Sequence, residues 1–430
     1  MRKMARIDPL KLFVPKQALR DDLIAFFSGR RGELSTLLDM VGVPGAAALV
    51  FGERGIGKTS VAWQAFRILS GSGKENILQT LDVSPTLPIR RHRCLWLQCT
   101  PDMLDLEGLL LNLIRIQPAP PVGSLGATFP ELLDDAAFQT RIEQTYKIDI
   151  KVVSAEWKYR GAGGPKGAQD LADRTPAVHA LFRDVMSYAA SLSSGSEILI
   201  FLDDVNYLPS RKGLGHLIKN LSDARFVLVS RESLADELIS EEESVNRKLR
   251  GSVLEIPGLN ESETNWIFDR AEREYPNRVT ISDDFRRTVH AESYGLPWAI
   301  QQFGYFAAFS RLSQSGATER LAIEASDFEA AATGLASDES ETYSRIIKLA
   351  QDSTTKQAIL RSLSNSSSGV SEEDEIRKDI KISRWKVFSG HLDQLVDAKI
   401  LKKDSSERVR FYEPITRMLV RIAVSKEFTP

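Results

Sequence analysis

Cysteine is almost absent from this chain: 430 residues include two, Cys94 and Cys99, and only five histidines. Both cysteines fall in one apolar stretch, RCLWLQCT, that reads as a strand. There, five residues at ~3.3 Å rise hold them roughly 16 Å apart, far beyond the ~7 Å between Cα atoms that a disulfide tolerates. A disulfide framework is excluded, and the scattered histidines offer no visible partners for a zinc site. Long hydrophobic runs are missing as well, none approaching the ~20 residues needed to cross a bilayer. The basic N-terminal stretch lacks the apolar core and small-residue cleavage site of a signal peptide. A cytoplasmic protein without a membrane partner is expected. Charge of one sign is also missing, since 56 Lys and Arg against 58 Asp and Glu leave a net −2. That balance excludes a globally basic nucleic-acid binder but leaves room for a local basic face.

What is present is ordinary in bulk and specific in detail. With 42% hydrophobic and 27% charged residues the chain has the composition of a globular protein, and its length predicts about three domains. The segment 29–41 spaces Leu34, Leu37, Leu38 and Val41 as one face of a helix. Gly42, Pro44 and Gly45 break it, and Ala46 to Phe51 follows as a short continuous apolar run of the kind buried in a parallel sheet. A helix from Lys58 to Leu69, a strand from Cys94 to Cys99 and a helix over about 105–116 continue the alternation. So do a helix over about 176–191, a strand from Glu197 to Asp204 and a last strand from Arg225 to Ser230. This rhythm predicts an α/β fold with a doubly wound sheet. Residues 117–175 interrupt it as an insertion, in which Tyr146 to Val153 alternates like an exposed strand. From Leu259 the pattern turns helical, with a capping signal at Asn260 to Glu263 and a break at Gly295-Leu296-Pro297.

Gly52-Glu53-Arg54-Gly55-Ile56-Gly57-Lys58-Thr59 fits the P-loop pattern and has the context it needs, an apolar strand before and a helix after. Its backbone N–H groups converge on phosphate at a helix N-terminus; Lys58 reaches the terminal phosphate oxygens, and Thr59 ligates magnesium beside Ser60. The apolar run Leu199 to Leu202 leads to Asp203, the candidate second magnesium ligand, and Asp204, placed to polarise an attacking water. Phe226 to Val229 ends in Ser230 and Arg231, candidate γ-phosphate sensors at a strand end facing the ligand crevice. Arg225 is a candidate intersubunit arginine finger.

In this order the motifs resemble the AAA+ ATPases of the origin-recognition type and the related STAND signalling ATPases, over roughly residues 25–310. The resemblance implies ATP and Mg2+ as ligands, Gly29 and Arg30 near the adenine, and Pro297 as the contact of a helical lid with the nucleotide. Pro297-Trp298-Ala299-Ile300 stands where origin-recognition relatives often carry a lid arginine, which implies slow turnover with the nucleotide as a conformational switch. The expected organisation is a P-loop NTPase domain over 1–255, a helical lid over 256–340 and a winged-helix domain over 341–430. In the last, helices over 354–363, 372–380 and 383–398 precede a hairpin over 400–412, with Val387, Leu392, Leu395 and Val396 packing inward. Residues 351–430 hold 15 basic against 12 acidic side chains, so placement matters more than balance. Ser383, Arg384 and Lys386 open the third helix, and Lys402, Lys403, Arg408 and Arg410 gather on the wing, as candidate DNA contacts.

The reading reached from sequence is an ATP-hydrolysing switch that regulates or loads partners in a DNA-linked process, with duplex DNA, a protein and a second copy of the chain as expected partners. The competing readings are a signalling or anti-phage defence ATPase whose winged helix docks protein, and an ATPase regulator of a transposase or nuclease.

Overall fold

In a computed structural model the chain is described over residues 7–14, 26–27, 29–72, 74–83, 85–114, 122–146, 175–193, 197–315, 320–351, 353–366, 370–403 and 408–428. Its centre is a five-stranded parallel sheet: β1 Ala48–Phe51, β2 Arg93–Gln98, β3 Ile198–Asp203, β4 Ala224–Ser230 and β5 Val253–Glu255, in the order β2-β3-β4-β1-β5. Side chains alternate across a strand, so each apolar run feeds two cores. Val50, Phe201 and Val229 face the helices Arg31–Gly42 and Lys58–Ser70. Leu49, Ile200 and Leu228 face Leu106–Ile114 and Thr175–Leu192. Burying one such side chain fully is worth about 1.5–3 kcal/mol, which is why the middles of these strands are apolar and polar residues appear only at their ends.

Four expected strands are present with shifts of one or two residues, and β5 is an addition. It is a three-residue edge strand, with Val253 38% exposed, so no run of buried residues marked it. The inserted region also differs from expectation. Its described part folds as short helices, Leu125–Thr128, Glu131–Asp134 and Ala136–Tyr146, anchored by Leu125, Phe129, Leu132 and Phe138 in the second core. The strand expected from Tyr146 begins on the last residue of such a helix and otherwise lies outside the described residues.

The lid is not purely helical. Helices Glu261–Glu274, Asp283–Ser293, Pro297–Ser315 and Phe328–Asp338 carry a two-stranded parallel ribbon, β6 Val279–Ile281 with β7 Leu321–Ile323. The first helix starts at the predicted capping box: Asn260 accepts the Glu263 N–H at 2.9 Å and Glu263 accepts the Asn260 N–H at 2.9 Å. Gly295 turns the chain into the next helix with φ +67, and a Cβ there would sit 2.2 Å from the Leu259 carbonyl oxygen, so only glycine fits this turn.

The last unit follows the expected order. Helix Thr354–Asn365, β8 Val370–Glu372, helices Glu373–Asp379 and Trp385–Asp397, β9 Leu401–Lys403 and β10 Arg408–Phe411 precede a closing helix, Pro414–Lys426. The three strands form an antiparallel sheet in the order β8-β10-β9. One helix face differs from expectation. The third helix begins at Trp385, two residues later than expected; Phe388, Leu392 and Leu395, spaced i, i+4, i+7, form its inward row, and Val387, off that row, is 42% exposed.

Candidate nucleotide site

The carboxyl ends of β1, β3 and β4 open onto a cleft of about 510 Å³ at the junction of the sheet, the lid and the N-terminal segment. A P-loop is built here for local reasons. Gly52 turns the chain out of β1 against Ile256, whose carbonyl oxygen would lie 2.9 Å from any Cβ, and Gly57 takes φ +97 at the residue before helix Lys58–Ser70. Gly55, Ile56, Gly57, Lys58, Thr59 and Ser60 all line the cleft. The helix thus presents its unpaired N-terminal amides and positive dipole end to whatever occupies it.

Lys58 is nearly buried, and its ammonium donates to the Glu53 carbonyl at 2.9 Å. Burial pulls its pKa down to about 8, Asp204 pulls it back up, and Arg231 adds a smaller downward push. Asp203 and Glu53 also push it up, and a phosphate beside it would further offset the burial that disfavours its charged form. Thr59 Oγ1 donates to Asp203 Oδ1 at 3.0 Å, joining the two candidate magnesium ligands from elements 144 residues apart. A hydroxyl and a carboxylate side by side, both hard oxygens, suit magnesium completed by phosphate oxygens and water. Asp204, left-handed at φ +58, turns away from the strand into the cleft, where its Oδ2 accepts from Gln98 Nε2 at 3.3 Å.

Arg231 lies one residue beyond β4 and lines the same cleft. Its Nη2 donates to the Tyr207 hydroxyl, its guanidinium carbon sits 4.9 Å from the Tyr207 ring centroid, and its Nη1 pairs with Glu413 Oε1 at 3.5 Å. Glu413 Oε2 also lies 3.7 Å from Arg54 of the P-loop. Ser230, the other candidate sensor, is fully buried and gives its hydroxyl to the Glu232 carbonyl. Arg225 is internal rather than a finger: it is 8% exposed, with Nη1 donating to the Val41 and Val43 carbonyls at 2.8 and 2.7 Å and Nη2 paired with Glu197.

Opposite the phosphate end, Val14, Phe26, Phe27 and Ile267 supply an apolar slot of the character that a nucleobase requires. Arg30 lines it, but its guanidinium is spent on structure, donating to the Ile56 carbonyl at 3.1 Å and pairing with Glu33 at 2.8 Å. Gly29 stands behind it, with no room for a side chain beside Glu263. Pro297 reaches the cleft as expected, and the neighbouring Trp298 N–H donates to the Gly55 carbonyl at 3.3 Å, so lid and P-loop share a backbone bond. Sequence reasoning missed Gln98, Tyr207, Glu413 and the apolar slot. None has a local signature, although Gln98 falls within an expected strand and Tyr207 just beyond another.

Of the candidate DNA contacts, Arg410 pairs directly with Lys402 across β9 and β10, and Arg408 lies two residues along the same face. Lys403 points the other way and is engaged by Glu373 and Asp393, each at 3.0 Å. Its charge is already met by two carboxylates, which sets it apart from Lys402. Ser383 and Arg384 precede the third helix, and Lys386 lies exposed in its first turn.

No family model matches the sequence, and no curated protein matches it. Among solved structures, the chain resembles the Walker-type ATPase PABY2304 of Pyrococcus abyssi at 13% identity, covering 95% of this chain and 99% of that one with a TM-score of 0.50. It also resembles the ORC2 protein of Aeropyrum pernix solved with ADPNP and ADP, at 14% identity over 97% of both chains with a TM-score of 0.47. At such identities the likeness is one of fold. The chain has the P-loop NTPase fold, a parallel sheet that carries a largely helical lid.

Proposed function

We propose that this protein is an ATP-hydrolysing switch whose nucleotide state is passed to its C-terminal unit. The observation that carries the reading is Arg231, which stands between the phosphate end of the cleft and Glu413 of that unit. Lys58 and the N-terminus of its helix hold the phosphates, Thr59 and Asp203 hold magnesium, and Asp204 orients the attacking water. Bound magnesium would draw charge from the phosphate oxygens. Arg231 meets the γ-phosphate in the ATP state and Glu413 when the γ-phosphate has left.

The C-terminal unit reads as a winged helix engaging duplex DNA, supported by the shared outward face of Lys402, Arg408 and Arg410. Lys58→Ala tests the first part: nucleotide binding by calorimetry is lost while circular dichroism is unchanged, and undiminished ATP turnover would sink the assignment. A mobility-shift titration over several salt concentrations tests the second. Three phosphate contacts give a slope of roughly −2.7 in log affinity against log salt, at about −0.9 per contact. Lys402→Glu flattens it, and Lys403→Glu destabilises the unit instead. Absence of binding at low salt with ATP present moves the partner to a protein, a reading that the exposed Trp385 and Val387 would then serve.

A further inference from the structure

The three-residue turn Val205–Tyr207 follows Asp204 directly, and it ends in a tyrosine that is 39% exposed within the nucleotide cleft. Its ring is not part of either core cluster, so packing does not explain it. It faces Arg231 instead. The ring lies under the guanidinium at 4.9 Å and its hydroxyl accepts from Nη2, while Asn206 of the same turn accepts the Arg231 backbone N–H at 3.2 Å. Backbone and head group of one arginine are therefore gripped by two consecutive residues.

An arginine side chain has several freely turning bonds, and one at the rim of a cleft would spend much of its time in solvent. Two anchors remove that freedom. They differ in kind: Glu413 belongs to another unit and competes with phosphate for the same charge, whereas Tyr207 is neutral and sits beside the phosphate site. A neutral aromatic face attracts a guanidinium without cancelling its charge, so the arginine stays available to an anion.

We propose that Tyr207 is a positioning residue that holds Arg231 toward the terminal phosphate, and thereby sets how strongly the site prefers a nucleoside triphosphate over a diphosphate. The inference rests on the reading of Arg231 as the γ-phosphate contact. Tyr207 shares its turn with Asp204, so the water-orienting group and the triphosphate-reading group are set by a single short element. Any shift of that turn moves both.

The test measures Mg-ADPNP and Mg-ADP affinities of the full chain by calorimetry and takes their ratio. Arg231→Ala lowers the preference for ADPNP, and Tyr207→Ala lowers it on the order of tenfold, the effect of misplacing one charge-assisted hydrogen bond. Tyr207→Phe, which keeps the ring face, falls between that variant and the unaltered protein. The double variant Tyr207→Ala with Arg231→Ala is no worse than Arg231→Ala alone, because Tyr207 acts only through the arginine. An unchanged ratio in Tyr207→Ala beside a lowered one in Arg231→Ala overturns the proposal. Additive losses in the double variant overturn it too, by placing Tyr207 on the nucleotide itself. An unchanged ratio in Arg231→Ala is a different failure, one of the γ-phosphate reading.

Discussion

Glu413→Gln removes one negative charge from between two arginines and leaves the shape of the side chain intact. The size of the effect follows from the exposure of the partners. Partly exposed ion pairs contribute ~0.2–1 kcal/mol each. Arg54, 59% exposed and 3.7 Å away, belongs at the bottom of that range, and Arg231, 31% exposed at 3.5 Å, nearer the top. About 1 kcal/mol of restraint on the two arginines follows, a factor of ~5 in an equilibrium constant. If the γ-phosphate must take Arg231 from Glu413, the variant binds Mg-ADPNP about fivefold more tightly and Mg-ADP no differently, and the gain shrinks as salt is added. Calorimetry with both nucleotides at two ionic strengths reads this directly. Equal tightening toward ADP and ADPNP would mean that Glu413 acts only through the general potential of the cleft. No tightening toward either would show that it does not compete for Arg231 at all, and the switch would need another route to the C-terminal unit.

Three further outcomes are expected. Because burial lowers the Lys58 pKa to about 8, and phosphate favours its charged form, nucleotide affinity is greatest below that pH and falls by up to about tenfold per pH unit above it; a titration from about pH 6.5 to 9.5, spanning that value, that is flat would remove Lys58 from the phosphates. Asp204→Asn keeps Mg-ATP binding and abolishes turnover, while Asp203→Asn weakens magnesium-dependent binding itself, as phosphate release and calorimetry on the two variants will separate. Arg225→Met leaves the Val41 and Val43 carbonyls without their donor and lowers stability by on the order of 2–3 kcal/mol, seen as an earlier urea transition, with turnover per folded molecule preserved; a folded but inactive variant would restore the finger role.

The parts of this site that were legible in sequence are those whose chemistry is local. A P-loop needs its glycines, lysine and threonine in one turn, and β3 must end in acid where it meets the cleft, so Lys58, Thr59, Asp203 and Asp204 announced themselves. Asn260 and Glu263 likewise satisfy each other within one helical turn. What escaped depends on distant partners. Glu413 meets Arg231 across 182 residues, and its place at the nucleotide cleft exists only once the last helix is docked. Lys403 and Arg408 read alike in a basic hairpin, and it is strand pairing that sends Lys403 to Glu373 and Asp393. Ser230 and Arg225 look like functional polar residues at the ends of a strand until the structure shows carbonyls waiting for both. β5 and the β6–β7 ribbon are too short to leave a periodic trace.

Among its contacts, the closing helix Pro414–Lys426 reaches two places that bear on the cleft and the lid. Glu413 at its head touches Arg54 and Arg231. One and two turns on, Arg417 stacks 4.0 Å from the ring of Tyr294 while Arg421 donates to that residue's hydroxyl at 3.2 Å. Tyr294 adjoins the tight turn at Gly295 that opens the next helix of the lid. A helix this short behaves as a rigid rod, so the arginines of the cleft and the turn at Gly295 are met by successive turns of one stiff element. Cutting the chain before residue 413 to study the nucleotide cleft alone would therefore yield a different cleft, not a smaller protein with the same one. Arg54 and Arg231 would have lost their counter-charge and Tyr294 the arginines that hold it, so nucleotide binding measured on the shortened chain would report both losses together.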